Sequence, residues 1–247
     1  MSIITALNAH HDKINELAAA RFASDINMPQ VTFYSIDKWK TQDNDNDKQK
    51  GFKKTIDPLR SSDNVVKSIQ EKLWNLPHGS TEHHPGILTL CKGMPVMIKQ
   101  NEATECCVTN GAEAIVVGWN SHMITTEKQV LDTLFVRLQN PPTDIQLDDL
   151  PLNVVPISQH TISIKCELPN DNILTVSRDQ VPVIPNFAMT DFASQGRTRT
   201  NNVVDLHNCR SHQSVYTCLS RSASIDGTVL VQGFDPSKVQ GGLSGYL

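Results

Sequence analysis

Several features that would assign a function at once are missing from this sequence. The 247 residues contain no G-x-x-x-x-G-K-[ST] phosphate loop, so no conventional cradle for a nucleoside triphosphate is present. No apolar run approaches the roughly 20 residues of a transmembrane helix, and we therefore expect no membrane contact. Aromatic residues make up only 5% of the chain, and the net charge of −4 argues against a strongly basic surface that wraps nucleic acid. A local groove for single strands stays compatible with this charge, because hydroxyls, backbone amides and a few cations suffice to hold a strand.

The cysteines and histidines do not form a recognisable metal site. None of the six cysteines belongs to a C-x-x-C pair, and adjacent cysteines or adjacent histidines seldom point at one ion. Cys209 and His212 are one isolated pair. We therefore predict no metal centre, and we expect free thiols in a reducing intracellular compartment because no signal peptide is recognisable.

Both flanks of the chain mix predicted helices and strands. The predicted elements are a strand at 2–7, a helix at 9–24, a strand at 31–36, a helix from about 62 to 74, a strand at 87–98 interrupted at 92–95, a buried strand at 203–206, a helix at 211–222 and a buried strand at 228–231. Asn8 is the expected cap of the first helix, and Asp12 is expected in its first turn. Ile14, Leu17, Ala18, Arg21 and Phe22 fall at helical spacing and define its amphipathic face. The mixed-charge stretch 37–57 is predicted to be a surface loop.

Between residues 101 and 182 the pattern changes to short strands. Thr109–Gly111 is a strong turn signal. Strands are predicted at 114–119, 131–138, 161–168 and 173–177, and the polar run 169–172 joins the last two as a hairpin. We therefore predict an α/β domain formed by residues 1–100 and 183–247, with a small β-barrel inserted at 101–182.

The stretch Asn186–Thr198 carries the first functional signal. A turn of small residues that contains Gln195 and Gly196 follows an apolar run. Gly196 permits a backbone conformation that other residues resist, and together with Ser194 it lets the chain approach a ligand closely. The simpler interpretation is an ordinary strand-to-loop turn, because Ser-Gln-Gly alone is a weak signal.

Arg221 is the second candidate. It follows a predicted helix that Ser211 can cap, and an arginine there is explained most simply by attraction to the helix dipole. Coming after the Ser-Gln-Gly turn, it also fits a cation that stabilises phosphoryl transfer, a role worth about 10³–10⁵ in rate in NTPases. Thr5 and Asn8 end the first strand, where open α/β sheets place ligands; capping is the simpler role for Asn8.

Four blocks in a fixed order resemble the carboxyl-terminal half of a PIF-type DNA helicase, a superfamily-one, RecD-like, 5′-to-3′ motor. The resemblance is closest to the branch found in helitron-like transposons and in expanded fungal gene sets. The blocks are Ile4–Asn8 with residues 12–15, Leu90–Ile98 with Asn101 and residues 109–111, Phe187–Thr198, which resembles motif V, and Tyr216–Arg221, which resembles motif VI.

This resemblance implies a fold and a set of roles. The fold is a second RecA-like (P-loop NTPase-type) helicase domain with an inserted SH3-like β-barrel. Arg221 would reach the γ-phosphate of ATP, while Gln195 and Gly196 would line the nucleotide side of the cleft. The residues implied to touch the backbone of single-stranded DNA are Thr5, Asn8, Thr190 and Ser194. The resemblance also implies an ATP hydrolase of DNA repair and recombination, located in the nucleus, in which a missing N-terminal RecA-like domain holds most of the ATP and Mg²⁺.

The sequence departs from the family in two respects. Phe192 and Ala193 replace the His-Lys of the family's T-x-H-K-S-Q-G, so strand contact there is weaker or relies on stacking by Phe192. Nothing resembles the phosphate-loop lysine, the Mg²⁺-binding acids or the F-R-Q arginine of the first half, and we expect the isolated chain to be almost inactive. The alternative is a non-catalytic nucleic-acid-binding remnant of a transposon-derived helicase. A β-barrel interaction module without a DNA role is a third hypothesis, but it leaves Thr190–Arg221 unexplained.

Overall fold

Three β-sheets with helices packed on them make up this computed structural model, which describes residues 2–39, 65, 67–76, 81, 84–167 and 173–240. The strands are β1 (Ile3–Thr5), β2 (Val31–Tyr34), β3 (Ile36–Trp39), β4 (Ile87–Leu90), β5 (Pro95–Ile98), β6 (Glu113–Met123), β7 (Gln129–Leu138), β8 (Val154–Ser158), β9 (His160–Glu167), β10 (Ile173–Gln180), β11 (Val183–Pro185), β12 (Ala188–Thr190), β13 (Asn202–Asp205) and β14 (Thr228–Leu230). The helices are α1 (Asn8–Asp25), α2 (Lys67–Trp74), α3 (Asp191–Ser194), α4 (His212–Leu219) and α5 (Ser237–Gln240). The predicted α/β class is confirmed.

A four-stranded parallel sheet carries two of the predicted site residues, Thr5 and Thr190. Its strand order is β12-β1-β13-β14, and the strands run parallel. Ile4, Val204 and Met189 are buried in the core beside this sheet. The prediction of a buried strand at 228–231 is wrong in its burial, because β14 lies at the end of the strand order and Val229–Val231 are about half exposed.

Helix α1 was predicted at nearly its observed position, but its buried face is rotated from the predicted one, on which Ile14, Ala18 and Phe22 are half-buried. Its buried residues lie four apart, at His11, Asn15, Ala19 and Ala23, whereas Leu17 is 58% exposed. The reason is a polar contact that sequence spacing does not reveal. Asn15 Oδ1 accepts hydrogen bonds from the backbone amides of residues 187 and 188, at 2.8 and 2.9 Å, and thereby turns this face of the helix towards β12.

The start of α1 also differs from expectation. The residue at the cap position is Leu7, with no side-chain hydrogen bond to the helix, so the prediction that Asn8 caps α1 is wrong. Asn8 is the first helical residue, and Asp12 lies just beyond the first turn, which contains no acidic residue. The exposed side chain of Asn8 is therefore not engaged in capping.

The largest sheet has seven strands, in the order β11-β5-β6-β7-β2-β4 with β8 paired to β7. The predicted interruption at 92–95 is confirmed: the chain turns between β4 and β5, with Gly93 at φ +84°. Strands β6 and β7 are longer than predicted, and β8 was not predicted. Strands β2, β4 and β5 precede residue 101, whereas β6, β7 and β8 follow it. The sheet therefore contains strands from both the predicted α/β domain and the predicted insert. An SH3-like barrel bounded at 101–182 stays a prediction.

The third sheet, β3-β10-β9, is fixed by a buried ion pair. Arg178 is fully buried, and its Nε and Nη2 donate to the two carboxylate oxygens of Asp37 at 2.8 and 2.9 Å. The guanidinium also donates to the carbonyl oxygens of Leu73 and His84, at 2.7 and 3.1 Å. One side chain thus joins β10, β3, the end of α2 and the segment before β4.

The surface loop predicted at 37–57 is wrong at its beginning, because residues 37–39 belong to β3 and Asp37 is buried. Asp37 was assigned to a loop because it is polar and because its partner, Arg178, lies 141 positions away in the sequence. Residues 40–57 lie outside the described residues, as do the predicted start of the second helix at 62 and the turn at 169–172.

Replacing Asp37 by Asn should cost about 3–5 kcal/mol in the free energy of unfolding, because it leaves the Arg178 charge buried without a countercharge. Urea denaturation of the purified chain measures the loss. The matched control is Asp25→Asn, which breaks the exposed Arg21–Asp25 pair and should change the free energy by less than about 1 kcal/mol. Equal losses in the two variants would contradict the structural role given to Asp37.

Candidate functional site

The carboxyl edge of the parallel sheet brings predicted site residues together. Thr5, at the end of β1, lies directly opposite Thr190 of β12 on one side and Asp205 of β13 on the other. Carboxyl edges of parallel strands are where open α/β sheets bind ligands. Helix α1 begins three residues after Thr5, and α3 begins one residue after Thr190, so helix starts also converge on this edge.

The hydroxyls at this edge are less accessible than the sequence suggested. Thr5 is 0% exposed, and its Oγ1 has no hydrogen-bond partner among the described residues. Ser194 is also 0% exposed and donates through Oγ to the carbonyl oxygen of Asp191 at 2.6 Å. Thr190 Oγ1 accepts from the amide of Ala193 at 3.2 Å and so caps α3. The exposed residues at this edge are instead Asn8 and Phe192, and Phe192 is 79% exposed.

Two buried carboxylates at the same edge were missed by sequence reasoning. Asp191 Oδ2 accepts a 2.6 Å hydrogen bond from the hydroxyl of Ser214, which ties α3 to α4. Asp205 accepts from the Gln232 amide at 2.9 Å and from the Asn208 amide at 3.1 Å. The sequence signal that could have identified Asp205 is its place near the end of the predicted strand 203–206.

The environment of Asp205 keeps its carboxylate charged. Burial acts to raise its pKa, but hydrogen bonds from Gln232, from Asn208 and from the backbone amide of His207 outweigh burial, so the pKa lies below its ordinary value. The imidazole of His10 stands 3.9 Å away and acts in the same direction. The edge therefore presents a fixed negative charge beside exposed polar side chains.

The loop after α3 carries the predicted nucleotide-side residues. Gln195 and Gly196 are exposed, and Gly196 has φ +75°, a backbone conformation that favours glycine. A Cβ added at Gly196 would meet no atom within 4 Å, so the space above it is open. The loop forms one wall of a cleft of about 750 Å³, whose other walls are residues 109–113 and 138–142.

Two arginines hold this loop against β6. Arg197 Nη1 and Arg199 Nη2 both donate to Glu113 Oε1, at 2.7 and 2.6 Å. Arg197 also donates to the carbonyl oxygen of Gly111 and, through Nε, to that of Ala193 at 3.2 Å. These contacts were not anticipated, although the alternation of basic residues after Gly196 was visible in the sequence.

The backbone of Arg221 is hydrogen-bonded to the end of this loop, at Arg199. The backbone amide of Arg199 donates to the carbonyl oxygen of Arg221 at 2.7 Å. The backbone amide of Ala223 donates to the carbonyl oxygen of Arg199 at 2.9 Å. The guanidinium of Arg221 folds onto the end of α4, where it donates to Thr217 O at 3.1 Å and to Ser220 Oγ at 2.7 Å. Within the described residues, Gln195, Gly196 and Arg199 line the cleft, whereas Arg221 is not among its lining residues and is joined to Arg199 through the backbone.

The predicted cap of the helix before Arg221 is confirmed. Ser211 Oγ accepts from the amide of Ser214 at 3.2 Å, and the helix ends at Leu219 rather than at residue 222. In the part of the chain that the structure describes, no three or more His, Cys, Asp or Glu side chains are grouped to hold a metal ion. No described helix is both long enough and apolar enough to cross a membrane.

Comparisons by sequence and by fold give different results. No family model matches the sequence, and no curated protein matches it. By fold, 96% of the chain is similar to the Pif1 helicase from Candida albicans, with a TM-score of 0.58, 21% identity and 46% of that chain covered. It is also similar to a Pif1 helicase from Bacteroides in complex with ADP-AlF3 and ssDNA (TM-score 0.56, 17% identity, 96% of this chain and 41% of that chain). For Bacteroides Pif1 bound to ssDNA, the TM-score is 0.55 and the identity 17%, with 96% of this chain and 42% of that chain covered.

These similarities show that nearly the whole chain shares its fold with part of a Pif1 helicase. The chain spans less than half the length of the helicase structures that it matches. The fold agrees with the resemblance carried by the four sequence blocks, which lie in β1 and the start of α1, in β4 and β5 with the turn at 109–111, in β12 and its following loop, and in α4 with Arg221.

Asp205 should make stability depend on pH in a defined direction. A carboxylate whose pKa is lowered by folding stabilises the protein above its unfolded pKa of about 3.9, and this contribution is lost as the pH falls through the folded value. We expect Asp205→Asn to lower the free energy of unfolding at pH 7 by roughly 1.5–3 kcal/mol, the value of hydrogen bonds to a charged group.

Urea denaturation at several pH values between 7 and 3 checks this expectation. The difference between wild type and Asp205→Asn should shrink at the acid end, while Asp148→Asn, at an exposed position, should stay close to wild type throughout. A difference that is independent of pH would contradict the ionised state assigned to Asp205.

Proposed function

We propose that this chain is the second motor half of an ATP-dependent DNA helicase of the Pif1 type, belonging to the branch of helitron-like transposons and expanded fungal gene sets. The observation that carries the proposal is the pair of main-chain hydrogen bonds joining Arg199 to Arg221 and Ala223. They hold the segment with the candidate arginine beside the loop with Gln195 and Gly196. The fold shared with Pif1 helicases supports the same assignment.

In this proposal the residues on the nucleotide side have separate tasks. Gly196 leaves open space at the loop surface, so a polyphosphate can approach its backbone closely. Arg221 exchanges its hydrogen bonds to Thr217 O and Ser220 Oγ for the charge that develops on the γ-phosphate. ATP with Mg²⁺ supplies the hydrolysis energy, and a first RecA-like domain outside this chain provides the phosphate loop and the acids for Mg²⁺.

Single-stranded DNA would follow the carboxyl edge of the parallel sheet. Asn8 offers an exposed amide, and Phe192 offers an exposed ring on which a base can stack. Thr190 can contribute a hydroxyl that retains its bond to the Ala193 amide. Thr5 and Ser194 are buried as whole residues, so in this proposal they would position the neighbouring residues Thr190 and Phe192 rather than touch the strand.

The domain assignment belongs to the same proposal. Residues 1–100 and 183–247 would form the second RecA-like domain, and residues 101–182 the SH3-like insert. We further propose a nuclear role in DNA repair or recombination, in agreement with the resemblance of the sequence blocks.

The alternative, a non-catalytic nucleic-acid-binding remnant, is favoured by one observation. The Arg221 guanidinium is turned onto the end of its own helix, where it is already hydrogen-bonded. A remnant would retain binding at the carboxyl edge but would gain no turnover when a matching first domain is added. Addition of that domain therefore separates the two functions.

The isolated 247-residue chain should show almost no ATP turnover, and DNA-stimulated ATPase should appear when a matching first domain is supplied. In the combined system, Arg221→Ala should lower kcat by about 10³-fold or more, because it removes the cation at the transferred phosphoryl group. Binding of labelled oligo-dT should change little, since the contacts of Arg221 are with Thr217, Ser220 and the backbone of Arg199, and not with residues of the carboxyl edge.

The matched control is Arg210→Ala, which removes an exposed arginine that precedes α4. It should retain wild-type turnover, and thermal melting of both variants excludes a loss of fold. Marked ATPase of the isolated chain, or unchanged turnover in the Arg221→Ala variant, would contradict the proposal.

A further inference from the structure

Two buried cysteines are in contact where α4 packs on the segment that follows β13. Cys209 belongs to this segment and Cys218 to α4, and their sulfur atoms lie 4.0 Å apart, close enough for one thiol to donate a weak hydrogen bond to the other. Cys209 is 1% exposed and Cys218 is 0% exposed. Only nine positions separate them along the chain, and neither has a task in the proposed function. Two thiols held side by side in this way are the starting arrangement for a disulfide.

The surroundings make the two sulfurs chemically different. The hydrogen bond from the Cys218 thiol lowers the pKa of Cys209 below its ordinary value, although burial acts in the opposite direction. The same contact, together with burial, raises the pKa of Cys218. A thiolate is the form that attacks an oxidant, and a thiol beside it can then react with the oxidised sulfur. The arrangement therefore suits Cys209 for the attack and Cys218 for the second step.

A small oxidant reaches this pair when the segment around it opens. Cys209 is flanked by the half-buried Asn208 and the exposed Arg210, and α4 is a helix of 8 residues in which Tyr216 is 66% exposed. Short surface elements open locally at a lower free energy than unfolding of the whole chain requires. Because both cysteines belong to the segment 209–218, a single local opening exposes both sulfurs and leaves them close together.

We propose that Cys209 and Cys218 are a redox switch, a dithiol that hydrogen peroxide converts to a disulfide through attack by Cys209 and that an external dithiol reductant opens again. The Cys209 thiolate attacks one peroxide oxygen, the O–O bond breaks, and a sulfenic acid and hydroxide form. The sulfur of Cys218 then attacks the sulfenic sulfur and displaces its hydroxyl, which leaves as water with the Cys218 proton. With the proton released by Cys209, one peroxide and two thiols give one disulfide and two waters.

Closing this bond displaces the end of α4. A disulfide holds its sulfurs at about 2.05 Å, so the two cysteines have to approach each other from their present 4.0 Å. Thr217 and Ser220, which accept hydrogen bonds from the Arg221 guanidinium, lie in the same helical turn as Cys218. The oxidised form therefore holds Arg221 away from its reduced position. This consequence for turnover rests on the proposed function, whereas the disulfide itself does not.

Mass spectrometry of the complete wild-type chain tests the disulfide directly. Trypsin cleaves after arginine, so cleavage at Arg210 places the two cysteines in separate peptides, 200–210 and 211–221. After treatment with hydrogen peroxide and blocking of the remaining thiols, a non-reducing digest should contain these two peptides joined to each other, and dithiothreitol should separate them. Oxidation of Cys209 that stops at the sulfinic acid, or a cross-link from either peptide to a different cysteine, overturns the proposal. A chain in which both cysteines stay reduced also overturns it.

Two serine variants test the order of the reaction. In Cys209→Ser the attacking thiolate is gone, so Cys218 should stay reduced under conditions that oxidise the wild type, as shown by alkylation after unfolding. The matched control is Cys106→Ser, at a half-buried cysteine outside the pair, which should form the cross-link like wild type. Thermal melting compares the folds of both variants with that of the wild type. Oxidation of Cys218 in Cys209→Ser at the wild-type rate overturns the proposal.

The effect on turnover is measured in the motor reconstituted with a matching first domain. Peroxide should lower kcat of the DNA-stimulated ATPase about tenfold or more, because small displacements of a catalytic group cost factors of this size, and dithiothreitol should restore it. Cys209→Ser should keep its turnover in peroxide. Unchanged turnover of the cross-linked wild type overturns the switch. A reduced motor without ATPase contradicts the proposed function alone, and the peptide analysis of the isolated chain then decides on the disulfide.

Discussion

The contact of Glu113 with Arg197 and Arg199 is the interaction on which the candidate site depends. One carboxylate on β6 holds two arginines of the loop that also carries Gln195 and Gly196. Because the backbone of Arg199 is hydrogen-bonded to that of Arg221, the same carboxylate also fixes the segment that follows α4. The seven-stranded sheet thereby sets the position of the loop between two strands of the parallel sheet. In the proposed function, movement of this loop would be transmitted to the strands that are proposed to contact DNA.

Elements with local signals could be predicted from the sequence, and elements with distant partners could not. The break between β4 and β5 follows from Gly93 and Pro95, and the cap at Ser211 follows from its own hydroxyl. The buried face of α1 depends instead on Asn15, whose backbone partners lie about 172 positions further along the chain. Asp37 resembles part of a polar loop until Arg178, 141 positions away, is placed against it.

The candidate site shows the same division. Gly196 and Arg221 were predicted as site residues because their residue types and order resemble helicase motifs, and the shared fold with Pif1 helicases agrees with that resemblance. Glu113, Arg197 and Arg199 were missed because a single glutamate at the start of a strand and two arginines in a loop have no characteristic spacing. Burial of Thr5 and Ser194 could not be predicted from the sequence either, since β1 lies between β12 and β13 and α3 contacts β1 and β12.

The position of the Arg221 side chain in an assembled motor is the most direct test of the central claim. A crystal structure of this chain with a matching first domain and an ATP transition-state mimic would show it. The account predicts that the guanidinium leaves Thr217 O and Ser220 Oγ and lies within hydrogen-bond distance, about 3 Å, of the γ-phosphate mimic. A guanidinium that stays on the end of α4 in a closed, nucleotide-filled cleft would contradict it.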